Sequence, residues 1–526
     1  MLFTSFEFIV FLLLVFVLYY ALPKKSQWVQ LLVFSYVFYF IADPRYLIFI
    51  VVTTVSTYLV SLKLKKINDI TDGYIKEHKE LTRDEKKAYK AQMKAKKWRW
   101  LLLCLILNIG ILSVTKYTNF VINNINNLLS GSSQLKAVDM IIPMGISFYT
   151  FQTMGYIIDV YRGKHEPQKN PFKLALFVSF FPQLVQGPIS RYGDLSKTLF
   201  SEHKFDCKVI SSGIMRILWG YFKKVVIADR LISAVTTLVS ETETYVGAYV
   251  FVAMMFYAFE LYCDFTGGID ITIGIAEVLG ITLAENFNLP YFSKNIKEYW
   301  NRWHITMGSW FTDYIFYPIS VCGPMLKLSK WSRSHLGDFI GKRVPVYLSS
   351  FVVWLTTGIW HGAAWNFIVW GLMNFVVIMI SQELEPLYAK FHSKFNVKGK
   401  MPYEIFQIIR TILLMSCIRM FDCYRDVPLT FKMIGTMFTE INPEVIVNGA
   451  LLNIGLTMWD YLVLLVGLIV VLGVSIVKVK VGTIRDKLYE KPFAYYGLMG
   501  LMLVTIIVFG AYGVGYDSSQ FIYNQF

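Results

Sequence analysis

The sequence predicts an all-α polytopic membrane protein with roughly 11–13 transmembrane or re-entrant helices. The chain has 526 residues and is 55% hydrophobic but only 17% charged, whereas a soluble domain carries about 25% charge. Several apolar runs are long enough to cross about 30 Å of hydrocarbon as helices. These runs are continuous and do not alternate, which favours helices over a lipid-facing β-barrel.

The first part of the chain predicts three spans and a basic arm. Phe6–Leu22 has no basic n-region before it and no small-residue cleavage site, so we interpret it as a retained helix. Trp28–Ile41 and Tyr46–Leu62 are the next apolar runs. Residues 63–99 hold 13 Lys/Arg against 6 Asp/Glu with helical spacing, typical of a solvated helical arm. The positive-inside rule places this arm in the cytoplasm and the N-terminus outside.

The middle of the chain is apolar but interrupted. After a span at Trp98–Thr115 and an expected outer loop at Asn123–Gly131, proline, glycine and buried polar residues break the apolar runs. Broken helices at membrane depth are tolerated where the freed backbone packs in protein or lines a cavity, which predicts a central polar tunnel. Ordinary kinks with snorkelling side chains are the alternative. The interrupted runs are Ile141–Tyr161, Phe172–Gly187, Val209–Ile227 and Tyr245–Ile281.

The C-terminal part predicts further helices and an outer tail. The basic segment Lys478–Lys491 reads as a cytoplasmic loop, with five Lys/Arg against two Asp/Glu. The following span, Phe493–Tyr512, then leaves the C-terminus outside. The preceding helices are predicted at Tyr403–Ile418, Leu429–Phe438 and Trp459–Val477. We therefore expect one membrane domain over residues 1–526, with a catalytic core at 141–381, C-terminal helices at 403–512 and an extracytoplasmic tail at 513–526.

Two Trp-His pairs mark the candidate site. Trp303-His304 lies in a polar–aromatic stretch, and Trp360-His361 lies within the apolar segment Val344–Ile380. A histidine at membrane depth is costly and is a functional hypothesis by default. The alternative is a histidine whose ring is satisfied by a backbone carbonyl at a helix break.

Together with other motifs, these pairs resemble the membrane-bound O-acyltransferase (MBOAT) family. The similarity is greatest to the bacterial branch of alginate and peptidoglycan O-acetylation and teichoic acid D-alanylation proteins. The matching pieces are the opening Met1–Phe8, Pro143–Tyr149, Gln186–Ile189, Tyr262–Gly267, Asn286–Asn288, both Trp-His motifs and Phe521–Phe526.

The resemblance implies an MBOAT fold around a tunnel, with His361 catalytic and His304 a second active-site residue near the cytoplasmic entrance. It also implies a thioester donor, either acetyl-CoA or an acyl group on the phosphopantetheine of a carrier protein. Histidine suits general-base catalysis on a hydroxyl. Burial among Trp360, Trp365 and Trp370 should keep the His361 imidazole neutral. No Gly-x-Ser-x-Gly elbow lies near it, so a serine triad is not supported.

Further residues complete the expected site. Asn301 and Arg302 can donate hydrogen bonds to a thioester carbonyl or a phosphopantetheine arm. The expected donor- and tunnel-binding residues are Asn301, Arg302, Trp303, Trp360 and Asp264. The six cysteines show no metal-ligand spacing, so we expect no metal, no disulfide and no bound cofactor.

The terminal Phe-Ile-Tyr-Asn-Gln-Phe resembles an ending for which this branch implies an acyl relay. We expect Tyr523 to take the acyl group with help from His361, and Phe521 and Phe526 to anchor the tail. The alternative is a tail that packs only as an aromatic belt.

The resemblance favours acetyl transfer from a cytoplasmic donor across the bacterial cytoplasmic membrane to a cell-surface polysaccharide. Expected partners are an extracytoplasmic SGNH-type acyltransferase, an acyl carrier protein and membrane lipid. The net charge of +15 needs no nucleic acid, because basic loops are what membrane topology requires. D-alanyl transfer to teichoic acid is one alternative, and a proton-coupled transporter is another.

Overall fold

The structure, a computed structural model, describes residues 3–129, 134–482 and 484–512. Helices dominate these ranges, and the β-type pairing recorded in them is a single antiparallel bridge between Phe287 and Trp303. The predicted all-α class is confirmed. The chain divides into two compact units, Met1–Ser211 with Ile275–Ala284, and Ser212–Gly274 with Glu285–Phe526.

The α-helices of the described ranges are numbered here in chain order. They are α1 (Phe6–Ala21), α2 (Gln27–Ala42), α3 (Leu47–Glu77), α4 (Arg83–Leu128), α5 (Ile146–Arg162), α6 (Pro171–Ser179), α7 (Phe181–Gln186), α8 (Tyr192–Leu199), α9 (Cys207–Tyr221), α10 (Asp229–Ser240), α11 (Ala248–Val278), α12 (Ile296–Arg302), α13 (Ile305–Phe311), α14 (Tyr317–Ser320), α15 (Gly323–Gly341), α16 (Arg343–His361), α17 (Trp365–Glu383), α18 (Glu385–Lys394), α19 (Met401–Tyr424), α20 (Val427–Thr439), α21 (Met458–Val481), α22 (Ile484–Tyr489) and α23 (Pro492–Phe509). Two π-helical turns, Phe222–Ala228 and Thr312–Phe316, continue α9 and α13.

Among the described residues, six helices are long and apolar enough to cross a bilayer. They are α3 with its preceding turn, α4, α11, α17, α21 and α23, and α1 is a shorter apolar helix. The chain is therefore a multi-pass membrane protein. The total of 11–13 membrane helices and the central tunnel stay predictions.

In the first unit, the basic segment 63–99 belongs to two packed helices. Helix α3 continues beyond its predicted end at Leu62, and α4 begins after a capping box formed by Thr82 and Glu85. The rings of Tyr74 and Tyr89 stack with centroids 4.1 Å apart. The membrane helices thus extend into the arm without a break at the expected boundary.

The predicted outer loop at Asn123–Gly131 is wrong for its first six residues, because α4 continues to Leu128. The polar composition indicated a loop, but asparagine side chains on the surface of α4 form hydrogen bonds with the segment that follows the helix. The Asn119 amide exchanges two hydrogen bonds of 2.9 Å with the backbone of Val138. Asn126 does the same with Leu135, at 2.8 and 2.7 Å. One face of α4 therefore holds the extended segment that follows it.

The predicted loop Lys478–Lys491 also contains helix. Helix α21 continues through Val481, and the short helix α22 follows. Basic composition identified a polar connection, but it did not show where the helices end.

In the second unit, α16 and α17 form an antiparallel pair whose close approach depends on glycine. A Cβ atom on Gly371 would lie 2.5 Å from the carbonyl oxygen of Trp354, and one on Gly358 would lie 2.5 Å from that of Phe367. Small residues at such crossings let helix backbones approach closely in membrane proteins. The predicted apolar segment Val344–Ile380 is thus two helices, and His361 lies where the first one ends.

Candidate active site

His361 lies against tryptophan rings at the end of α16. It is 8% exposed, and its ring centroid lies 4.6 Å from that of Trp370 and 5.0 Å from that of Trp360. Trp365, which was also expected to bury it, is 58% exposed. The helix break and the tryptophan contacts together fix the position of this imidazole.

His304 occupies a second break, between α12 and α13. Its backbone has the left-handed φ of +49°, which is uncommon for a residue other than glycine. The bridge between Phe287 and Trp303 and a 2.9 Å hydrogen bond from the Ile305 N–H to the Asn286 carbonyl hold this turn. The side chain is 1% exposed, so the turn directs the imidazole into the protein.

The side chain of Asn286 determines the His304 tautomer. Its Oδ1 accepts hydrogen bonds from the backbone N–H and the hydroxyl of Thr306, at 3.1 and 2.9 Å. The same oxygen lies 3.2 Å from Nδ1 of His304. Because an amide oxygen only accepts, Nδ1 must carry the proton, and the lone pair of neutral His304 is then on Nε2.

The two histidines share one tryptophan. The Trp360 ring centroid lies 6.0 Å from that of His304 and 5.0 Å from that of His361. His304 lies outside the six candidate membrane-spanning helices. Burial, and secondarily the nearby Arg419 cation, lowers its pKa to about 3. His304 is therefore neutral near physiological pH.

Arg419 on α19 is a buried cation that lies over three tryptophan rings. Its guanidinium carbon lies 4.8 Å from the Trp370 ring centroid, 5.1 Å from that of Trp303 and 5.7 Å from that of Trp300. Its Nη1 donates to Asp422 at 3.0 Å. We call Arg419 with these three tryptophans the Trp–Arg cage. Sequence reasoning missed it because the predicted helix stopped at Ile418, one residue too early.

Asp264, expected to contact the donor or the tunnel, is fully buried in an ion-pair cluster on α11. It pairs with Lys224, which also pairs with Asp229 at 2.7 Å. Glu260, one turn before Asp264, is 4% exposed. Lys224 lies in the π-helical turn Phe222–Ala228, and such turns are frequent at functional sites.

The neighbouring Lys223 enters a second polar network. It donates to Thr266 at 2.8 Å and pairs with Asp270 at 2.6 Å. Arg216 bridges Asp270 and Glu285, at 2.8 and 2.6 Å. The π-helical turn thus gives two consecutive lysines separate carboxylate partners.

The other predicted residues differ in their surroundings. Asn301 is exposed, and Arg302 pairs with Glu298 at 2.6 Å. Trp303 is buried and stacks on Tyr299 with centroids 5.6 Å apart. The described His, Cys, Asp and Glu side chains form no cluster placed to hold a metal. Tyr523, Phe521 and Phe526 lie outside the described residues.

Sequence comparisons agree with this arrangement. The model of the membrane-bound O-acyltransferase family matches residues 164–423, which include both Trp-His motifs and Arg419. The protein named "Probable alginate O-acetylase AlgI" of Azotobacter vinelandii is 31% identical over 70% of this chain and 66% of its own length. A protein of the same name from Pseudomonas putida is 31% identical over 73% of this chain and 71% of its own length. The peptidoglycan O-acetyltransferase of Helicobacter pylori is 32% identical over 58% of this chain and 59% of its own length.

The chain spans just under two thirds of the Azotobacter relative and a smaller part of the Helicobacter one. Over the Pseudomonas putida relative, the match exceeds two thirds of that protein's length. This extent and identity, with the family model over the site, decide the assignment: the chain belongs to the membrane-bound O-acyltransferase family.

Proposed function

We propose that this protein is an O-acyltransferase that takes an acyl group, most simply acetyl, from a cytoplasmic thioester and delivers it for O-acylation of a cell-surface polysaccharide. One observation carries the proposal: two buried histidines from separate motifs contact the same ring, Trp360, in a site lined by tryptophan. The relatives named alginate O-acetylase and peptidoglycan O-acetyltransferase support the choice of acetyl.

His361 acts as the general base. It takes the proton of the acceptor hydroxyl as that oxygen attacks the thioester carbonyl carbon. The C–O bond of the ester forms, the C–S bond breaks, and the thiolate leaves with a proton returned by the imidazolium. The imidazole of His361 is buried between the rings of Trp360 and Trp370.

His304 has a different task in this scheme. With Nδ1 donating to Asn286, the neutral ring presents an acceptor at Nε2. A ring in that state binds an amide N–H or a thiol of the donor and does not donate to the carbonyl oxygen. We therefore assign His304 to holding the donor arm, with Asn286 as its positioning residue.

Tyr523 is the acceptor that this proposal favours. Its phenol would receive the acetyl group at the outer side and pass it to an extracytoplasmic SGNH-type acyltransferase. The protein would then lie in the bacterial cytoplasmic membrane with both termini outside, and the basic segment 63–99 would face the donor side. The donor is acetyl-CoA or an acyl carrier protein thioester.

The test uses purified protein in proteoliposomes with radiolabelled acetyl-CoA and, in parallel, D-alanyl carrier protein. We expect label from acetyl-CoA on the C-terminal peptide of the wild type and none in His361→Ala or Tyr523→Phe. His335→Ala, at an exposed histidine of α15, is the matched control and should transfer normally. Transfer retained in His361→Ala would refute the base. Transfer of D-alanine alone would replace acetyl with D-alanyl in the proposal. Transfer of neither group would favour the alternative of a proton-coupled transporter.

A further inference from the structure

A cavity lies in the same unit as the Trp–Arg cage. It has a volume of about 520 Å³ and lies among the start of α12, the N-terminal end of α16, the C-terminal end of α17, and α18 and α19. Cavities of roughly 300–1,000 Å³ are the usual size for small-molecule sites. This one is therefore large enough for an organic ligand.

The cavity is lined by more cations than carboxylates. Five Lys/Arg side chains face two glutamates. Some of the cations are paired: Arg343 with Glu383 at 2.6 Å, and Lys294 with Glu404 at 2.5 Å. These pairs brace the wall of the cavity.

Two of the lining cations keep their charge available. Within the described ranges, no carboxylate lies within ion-pair distance of Lys297 or Arg410. The Arg410 Nη2 donates to the carbonyl of Lys294 at 2.9 Å, which orients the guanidinium. Its other N–H groups make no further hydrogen bond to the described residues. An oriented guanidinium in a cavity that is also lined by Lys297 suits an anionic ligand, and phosphate most of all.

Aromatic side chains complete the lining. Tyr347, Tyr388 and Tyr403 contribute to the wall, and the Tyr403 hydroxyl lies 2.9 Å from Nε2 of His392. Aromatic rings can stack on the base of a nucleotide while nearby cations bind its phosphates. The lining thus favours a nucleotide phosphate over a simple inorganic anion.

The cavity is also within reach of His304. Helix α12 begins at Ile296 in the cavity wall and ends at Arg302, two residues before His304. Its seven residues span about 11 Å. A pantetheine arm, comparable to about five extended residues, covers about 17 Å. The length of α12 is therefore within the length of a pantetheine arm.

We propose that this cavity binds the phosphate ester of the acyl donor, with Lys297 and Arg410 as its principal contacts. The link between this cavity and a thioester rests on the proposed function. The binding of phosphate does not rest on it, because a phospholipid headgroup at the membrane surface carries the same group.

The experiment measures binding without turnover. Wild type and a Lys297→Gln/Arg410→Gln variant are titrated with coenzyme A in nanodiscs of zwitterionic phosphatidylcholine, and co-purified anionic phospholipid is quantified in each. A Lys390→Gln/Lys398→Gln variant changes the same net charge at positions outside the cavity lining and is the matched control. Thermal unfolding of all three proteins checks that they are folded.

We expect Kd for coenzyme A to rise about 10- to 100-fold in the cavity variant and to be unchanged in the control. Unchanged coenzyme A binding with lost anionic lipid would keep a phosphate site but assign it to the headgroup and overturn the donor assignment. No change in either ligand would overturn the site altogether. A wild type that binds coenzyme A through these residues yet transfers no acetyl would sink the proposed function and leave the site standing.

Discussion

Replacing Arg419 with methionine removes the cation of the Trp–Arg cage and leaves Asp422 buried without its partner. The two side chains are 7% and 3% exposed, and Nη1 donates to Oδ2 at 3.0 Å. Removing one partner of a buried ion pair costs about 3–5 kcal/mol, because the remaining charge stays desolvated. Loss of the cation–π contacts adds about 2 kcal/mol when the cation is as buried as this one. We expect Arg419→Met to destabilise the protein by about 5–7 kcal/mol.

The double variant Arg419→Met/Asp422→Asn separates the two contributions. Because it removes both charges, it should be more stable than Arg419→Met alone, and it should keep only the loss of the cation–π contacts. Arg419→Lys keeps the charge but loses the planar fork that reaches Asp422 and the indole rings together, so it should be intermediate. With Asp422→Asn measured alone as well, the complete double-mutant cycle gives the pairing energy.

The assay is thermal unfolding in detergent, followed by tryptophan fluorescence, with acetyl transfer measured in the same preparations. Trp300, Trp303 and Trp370 contact the guanidinium directly, so their emission should report the loss before unfolding begins. An Arg419→Met protein as stable as wild type would refute the reasoning. So would a double variant less stable than Arg419→Met.

Three further predictions concern the same unit. Asn286→Ala should cost about 1–3 kcal/mol and lower acetyl transfer, because it removes the acceptor that fixes the His304 tautomer; kinetics should show no such loss in Asn288→Ala, at an exposed asparagine two residues on. Gly371→Ala should destabilise by about 1–3 kcal/mol in a thermal melt, since its Cβ would overlap the Trp354 carbonyl; Gly473→Ala, with open space around its Cβ, is the control, and equal effects would contradict the crossing. The lowered pKa of His304 means that its contribution to stability is present above its ordinary value of 6.5 and is lost as pH falls from there towards about 3; melts against pH should flatten in His304→Asn, and an unchanged slope would argue against a neutral buried ring.

Local pattern was sufficient to predict that apolar helices dominate the chain. The apolar run around His361 predicted helix, and the alternative considered for this histidine included a helix break, which is where α16 ends. The alternating arrangement of apolar helices and basic connections predicted a multi-pass membrane protein. Each of these features depends on residues close together in sequence.

The partners of the histidines could not be predicted in the same way. Asn286 and Arg419 approach the site from distant parts of the chain, and hydrophobicity says nothing about which polar groups meet. Composition also misplaced two boundaries: charge after Ile418 concealed the rest of α19, and the asparagines after residue 118 concealed the end of α4. In both cases polar side chains had protein partners, so their polar composition did not indicate exposure to solvent.

The left-handed backbone at His304 has a consequence for mutagenesis. Residues other than glycine and asparagine hold that conformation at a cost of about 1–3 kcal/mol, met by the surrounding structure. Alanine at this position would remove the imidazole and keep the strain, while losing the hydrogen bond and packing that oppose it. An alanine scan would then overstate the chemical importance of the ring. Asparagine, which tolerates this backbone, deletes the imidazole alone and is the fair comparison.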